Sequence, residues 1–394
     1  MKGSTLVVVG VAGLVAAAAV VSGVRSAVGG GSSGGGTATT GATAGAGTAG
    51  GTTAPTDTLP VGDVRRLPRP RAGALGGTLV VYSAGLCLPV VIDLARLVST
   101  SVGTMGSACS SWVSPDGRRV AMVLPPPEDH HLMLSGPIAG RPDDTGLAYS
   151  PDNTGALTVT DDGTVATCDG RHVIVAARGR ARTVRSFTPA DNGFDERCVT
   201  GALGAHVVRL SDDRRSLVDA IDGSTVRRLA RPVRQPIVAI ATSPDGYVLI
   251  ADTADGTPQG TVYGPDGAVA IPRRPIGRGT QPRKVVLARR AAAVALQSSR
   301  GWDVTSLRTG SALVSPGGAR ITDIAFAPDA SVVAAATEHG VLFATLPGLV
   351  PRSFLALPSQ GVEWYPASAF PDSRTSPVRT VRRRGAAAMI AVGA

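Results

Sequence analysis

The stretch WVSPDGRRVAMV, Trp112–Val123, decides the fold. It reads as an apolar segment, a tight turn and a second apolar segment. Pro115 fixes φ at the first corner, Asp116 accepts hydrogen bonds from nearby backbone N–H groups, and Gly117 supplies the positive φ that ends the turn. The unit returns as AYSPDNTGALTV with its turn at Pro151-Asp152, as ATSPDGYVLIA at Pro244-Asp245-Gly246, and as AFAPDASVVAAAT at Pro328-Asp329. Weaker copies are SFTPADNG at Thr188 and ASAFPDSRT at Phe370, and VVLARRAAAVAL turns at Arg289. From Ser114 to Phe370 the copies span 256 residues in six steps of about 43. A period of 40–45 residues with several short strands each is the sign of propeller blades. The turn aspartates are read as structural and not as catalytic acids.

Hairpin marks fill in each unit. Asp162-Gly163, Asp169-Gly170, Asp222-Gly223, Asp255-Gly256 and Asp266-Gly267 punctuate short apolar runs, as two-residue β-turns do. The pattern predicts an all-β fold, a β-propeller of four-stranded antiparallel blades, seven in number with six as the alternative. GTLVVYSAGLCLPVVIDLARLVSTSV (Gly77–Val102) looks like part of a blade without its own Pro-Asp turn. The segment from Trp364 to Ser373 supplies such a turn and lacks the strands that should follow. Pairing the two would close the ring with strands from both chain ends.

SPDGRRVAMV and its relatives resemble the WD-like repeat of TolB-like β-propellers, over roughly residues 75 to 394. Departures at Thr188 and Arg289 are what leave the blade count open. The resemblance implies an exported or periplasmic binding platform, and implies fold more than function.

The rest of the sequence concerns address and chemistry. The chain has 394 residues, 43% hydrophobic and 17% charged, with 50 Gly, 29 Pro and 4% aromatics. That excludes a wholly disordered chain and favours short strands and turns over long helices. Thr5–Val24 carries no charge and is long enough to cross a bilayer as a helix. Residues 1–25 therefore read as a signal anchor or, alternatively, a cleaved signal peptide. Residues 26–74 are a flexible Gly/Ser/Thr/Ala linker followed by VRRLPRPR, read as a solvated Pro/Arg stalk, and residues 75–394 form the propeller. The expected location is the cell membrane, single-pass, with the C-terminal domain outside the cytoplasm; the alternative is secretion.

Cys87, Cys109, Cys168 and Cys198 are the four cysteines. No C-x-x-C occurs, so zinc and thioredoxin-type chemistry are disfavoured. An even set in an exported region reads as two structural disulfides, Cys87–Cys109 and Cys168–Cys198, out of three possible connectivities. The five histidines, His130, His131, His172, His206 and His339, make no ligand motif, and Glu128-Asp129-His130-His131 reads as a solvated loop. A calcium site of the propeller-hydrolase type needs Glu, Asn and Asp converging on the channel, and only four Glu and two Asn are present. No catalytic, metal or cofactor residue is assigned, and no cofactor is expected.

The net charge is +10, and 37 of the 39 basic residues are Arg, the lysines being Lys2 and Lys284. Arg-rich runs at Arg178–Arg185, Arg273–Lys284 and Arg382–Arg384 lack interleaved aromatics, so nucleic acid is not an expected partner. The expected function is a non-catalytic, membrane-tethered binding or scaffolding module. It would engage the membrane through its N-terminal helix, and a protein partner or an anionic envelope component through the propeller. The alternatives are a hydrolase or lactonase with a channel metal site, and a structural component of an envelope assembly.

Overall fold

Short apolar runs separated by tight turns give strands that pair with their sequence neighbours, and the chain folds as a series of such sheets. This computed structural model describes residues 64–83, 89–100, 110–123, 131–135, 143–148, 157–177, 179–188, 196–253, 256–278, 282–298, 301–366 and 375–377. Three strands come first: β1 (Thr78–Ser83), β2 (Pro89–Asp93) and β3 (Val98–Thr100). Blade one is β4 (Ser110–Val113), β5 (Val120–Val123), β6 (His131–Ser135) and β7 (Asp143–Ala148). Blade two is β8 (Thr158–Val159), β9 (Val165–Cys168), β10 (His172–Ala177) and β11 (Arg180–Ser186). Blade three is β12 (Thr200–Leu203), β13 (His206–Leu210), β14 (Ser216–Asp219) and β15 (Thr225–Arg228). Blade four is β16 (Ile237–Thr242), β17 (Val248–Asp252), β18 (Gln259–Tyr263) and β19 (Val269–Pro275). Blade five has three strands, β20 (Lys284–Leu287), β21 (Ala293–Ser298) and β22 (Gly301–Ser306), with a lone Thr305–Ala312 bridge on its outer side. Blade six is β23 (Ile321–Phe326), β24 (Val332–Thr337), β25 (Gly340–Thr345) and β26 (Val350–Leu355).

The ring closes with strands from both ends of the chain. β27 (Ser359–Tyr365) pairs antiparallel with β1, and β28 (Thr375–Pro377) pairs with β3. Blade seven is therefore the five-stranded sheet β27-β1-β2-β3-β28. Trp364 pins the junction by donating its indole N–H to the Gly76 carbonyl at 2.9 Å. Closure of this kind ties the two chain ends into one sheet, while each blade keeps a short outer edge strand. The blade count is seven, as the repeat predicts.

The inner-to-second turns keep the expected period but not all the expected positions. They lie at Asp116, Asp162, Gly204, Asp245, Arg290 and Asp329, 213 residues in five steps of about 43. In blade two the turn is TDDGT at Thr160, and in blade three it is the two-residue turn Gly204-Ala205. In chain order the copies at Pro151-Asp152 and Thr188 fall between β7 and β8 and between β11 and β12, away from the inner-to-second position of their blades. Pro151, Asp152 and the Phe370 copy lie outside the described residues, as do Cys87, Cys109, His130 and the segment before residue 64. Three of the six share one chemistry: a hydroxyl, an Asp two residues on and a left-handed residue after it. Ser114, Thr160 and Ser243 each donate to the Asp116, Asp162 and Asp245 carboxylates at 2.5–2.6 Å. Ser211 does the same to Asp213, but at a second-to-third turn. The proline is optional.

Packing follows strand order. Middle strands such as β17 and β24 are buried along their whole length, because both faces are covered by neighbouring blades. Between blades five and six, Trp302 and Val304 pack on Ile324, Val333, Leu342 and Phe354. Val64, 1% exposed, joins this cluster with Leu67 beside it, and the Phe354 N–H bonds the Pro68 carbonyl. The stretch VRRLPRPR is thus packed on the propeller and is not a free stalk; apolar Val64 and Leu67 outweigh the surrounding charge.

Outer strands carry the arginines, and several of these grip the next blade. Arg185 of β11 donates to Ala220 O in blade three at 3.2 Å. Arg227 of β15 donates to Gly246 O and Gly264 O in blade four, at 2.5 and 3.3 Å. Arg274 of β19 reaches Leu307 O in blade five at 2.5 Å. A long guanidinium with several donors spans an inter-blade gap that a short side chain cannot. Among the described residues no helix is long and apolar enough to cross a membrane, and the run Thr5–Val24 lies outside them.

Candidate functional site

Seven inner strands, β4, β8, β12, β16, β20, β23 and β27, surround the axis and enclose a cavity of about 400 Å³. Its walls are mainly apolar, from Val113, Val159, Ile240, Val286, Phe326 and Trp364. At the turn face the mouth is rimmed by Pro115, Pro244, Pro328 and Pro366. Each proline sits where an inner strand ends, so the turn chemistry that sets the blades also builds a stiff collar. Further bonds tie the collar together. The Asp116 N–H donates to the Asp161 carboxylate, the Asp161 N–H to the Gly204 carbonyl, and the Arg290 N–H to the Asp245 carboxylate, each at 2.9 Å.

The other end of the cavity is polar, and Lys284 is its centre. From β20 in blade five its ammonium donates to the Ser111 carbonyl in blade one at 2.9 Å and to Asp323 Oδ1 in blade six at 3.4 Å. The Trp112 and Trp302 rings lie 5.8 and 5.6 Å from it, within cation–π range. The side chains of Lys284 and Asp323 are 16% and 12% exposed. Lys284 therefore crosses the axis and joins three blades. Asp323 Oδ2 accepts the Val362 N–H at 3.1 Å.

Glu363 completes the floor from blade seven and is 3% exposed. Burial pushes its carboxyl above the usual carboxylate range, although the Ser111 and Tyr365 hydroxyls and the Lys284 ammonium pull the other way. Tyr365 donates to Glu363 Oε2, and the Ser111 and Tyr82 hydroxyls also face this carboxyl. Burial, then the Glu363 charge, pushes the Tyr82 and Tyr365 phenols well up, so both remain neutral donors. The floor is a closed polar cluster under an apolar funnel, the arrangement of a site for a small amphipathic group.

None of the residues assigned from the sequence is on this floor. Pro115, Asp116, Gly117, Pro244 and Pro328 line its mouth, while Asp245, Gly246 and Asp329 belong to the same turns. Cys168 and Cys198 are joined in a disulfide, with Cα atoms 5.6 Å apart, that ties β9 of blade two to the turn entering blade three. The described histidine side chains pair with carboxylates: His172 with Asp169, His206 with Asp219 and His339 with Glu338. Among the described residues no group of three His, Cys, Asp or Glu is placed to hold a metal ion. The two carboxyls that reach the channel floor share it with an ammonium. One signal for this floor was present in the sequence: a lone Lys in an Arg-dominated propeller, opening the strand KVVL.

No protein-family model matches the chain, and no curated protein matches its sequence. Among solved structures it is similar to TolB from Acinetobacter baumannii, at 14% identity over 76% of this chain and 68% of that one, with a TM-score of 0.40. It is similar to a functionally unknown protein from Desulfotomaculum acetoxidans, at 12% identity over 74% and 99% of the two chains, TM-score 0.42. The Cps50 (Swd1) β-propeller domain of Myceliophteria thermophila gives 15% identity over 68% and 93%, TM-score 0.42. The ring of seven blades itself makes the fold a β-propeller, the architecture that the WD-like repeat implied.

Proposed function

We propose that this chain is a non-catalytic binding module, exported and held at the cell membrane by its N-terminal apolar run, with the axial cavity and its collar as the docking site. The observation that carries this reading is the cavity: about 400 Å³, apolar-walled, with a small polar floor and a mouth stiffened by four prolines. A rigid, preformed concave site costs little to order when a partner binds. The Cys168–Cys198 disulfide supports an oxidising compartment, and the apolar run supports export.

The test is purification of the full-length protein from its native membrane in mild detergent, with mass spectrometry of what stays bound and of the mature N-terminus. A stoichiometric partner, with Met1 or Lys2 retained, is expected. Thr242→Trp places an indole at the cavity mouth and should release that partner while the protein stays folded. A solitary protein cut after Val24 would overturn both the tether and the docking assignment.

A further inference from the structure

A second concave site lies between blades four and five, apart from the axial cavity. Its volume is about 420 Å³. Three arginines line it from three elements: Arg274 from β19, Arg290 from the β20–β21 turn and Arg308 from the turn after β22. Among the described residues no carboxylate lines this groove. The described carboxylates of the two blades are engaged elsewhere. Asp252 pairs with Arg273 at 2.7 Å, Asp303 with Arg278 at 3.2 Å, and Asp266 accepts the Ala268 N–H at 3.0 Å. Asp245 accepts the Ser243 hydroxyl and the Arg290 backbone N–H, and so holds the turn that carries Arg290.

Charge and shape together select the ligand. Three cations in one groove repel each other, and an anion between them relieves that repulsion. One guanidinium is already set in place: Arg274 Nη1 donates to the Leu307 carbonyl at 2.5 Å, and Leu307 lines the groove beside Arg308. Arg290 and Arg308 are exposed, so their planar donor forks are open to an incoming group of oxygens. A carboxylate would balance only one of the three charges. A phosphate monoester carries about −1.5 to −2 at neutral pH and offers three acceptor oxygens. The groove is also much larger than a phosphate ion, and its remaining wall is apolar. Half-buried Tyr247 and Ile271 pack on the core between the two blades, with Pro272 beside them. A phosphate joined to an apolar or aromatic body satisfies both parts.

We propose that the groove between blades four and five binds a phosphate monoester, its phosphate at Arg290 and Arg308 and its apolar body against Tyr247 and Ile271. This site is separate from the axial docking site and does not depend on it. Two sources carry the same chemistry: a soluble phosphorylated small molecule, and a phospholipid whose headgroup is a phosphate monoester.

The experiment is isothermal titration calorimetry of phenyl phosphate into the detergent-purified full-length protein at about pH 7.5, where the phosphate is mostly dianionic. Inorganic phosphate, benzoate and phenol are the controls. Phenyl phosphate should bind about tenfold or more tighter than any of them. Arg290→Gln and Arg308→Gln, both at exposed positions, should each weaken it by about tenfold, as loss of a charge-assisted hydrogen bond does. Arg228→Gln removes an equal exposed charge from blade three and should change it by less than about twofold. Thr242→Trp, at the axial cavity mouth, should leave it unchanged, which separates this groove from the docking site. Competition by phosphatidate in mixed micelles, with phosphatidylcholine inert, assigns the ligand to lipid headgroups; lack of competition assigns it to a soluble phosphate. No binding of phenyl phosphate, equal affinity for inorganic phosphate, or an equal loss in Arg228→Gln overturns the groove and leaves the axial docking reading standing.

Discussion

Replacing Lys284 by Met tests whether the axial ion pair holds the ring together. The substitution keeps the length and apolar stem of the side chain and removes only the ammonium. Asp323 then keeps a carboxylate at 12% exposure that still accepts the Val362 N–H. Removing one partner of a buried pair costs roughly 3–5 kcal/mol, because the other charge stays buried. The Val362 bond offsets part of that, so about 3 kcal/mol is expected. With a urea m-value of about 3 kcal/mol/M, the unfolding midpoint falls by about 1 M. The double variant Lys284→Met, Asp323→Asn removes both charges and keeps an acceptor for Val362. It should recover most of the loss, to within about 1 kcal/mol of the parent. The assay is urea denaturation followed by Trp fluorescence and far-UV circular dichroism, whose coincidence checks two-state behaviour. A single variant as stable as the parent would refute the tie. A double variant no better than the single would refute the charge-burial argument, since packing alone would then explain the loss.

Three further outcomes follow from the same geometry. Arg227→Ala loses two inter-blade hydrogen bonds and should cost about 1–2 kcal/mol after allowance for its partial exposure, whereas exposed Arg228→Ala on the same strand should change stability by less than about 0.5 kcal/mol; paired urea titrations decide it. Gly267→Ala should be severe, because φ is +81° and a Cβ there would sit 2.0 Å from Arg228 O. Gly256→Ala, at φ +73° with nothing within 4 Å, should cost only about 1 kcal/mol, and thermal melts separate the two. Acid and base limbs should also differ. Raised Glu363 contributes stability that is full below its unfolded pKa and is lost as pH rises through its folded value, so Glu363→Gln should flatten that limb. Asp213, lowered by the Ser211 hydroxyl, acts oppositely: its contribution is present above about pH 4 and is lost as pH falls through its folded value. Melting temperatures from about pH 3 to 9 for parent, Glu363→Gln and Asp213→Asn test both signs.

How legible the fold was depends on which contacts are local. The turn unit at Ser114–Arg119 is written in six consecutive residues, because its bonds run between near neighbours. In blade two the inner-to-second turn is TDDGT at Thr160 and not the Pro-Asp pair at Pro151, because a hydroxyl and an Asp two residues on close the same turn without proline. Blade three turns at Gly204-Ala205 with no Pro or Asp, so a search keyed to proline passes over it. The copies were displaced in blades two and three without changing the mean step, and for that reason the count of seven survived.

By itself the sequence determined the period, favoured seven blades over six and suggested closure by strands from both ends, since these follow from hydrophobic alternation and from turns that bond within a few residues. Only the tertiary structure decided the site. Lys284 and Ser111 are 173 residues apart and meet because ring closure sets blade five opposite blade one. Asp323 and Glu363 join them from two further blades. No local pattern marks such a group: each residue sits singly on its own inner strand, among apolar neighbours. The same reason hid the arginine clasps at Arg185, Arg227 and Arg274, whose acceptors are carbonyls on the next blade and carry no side-chain signature.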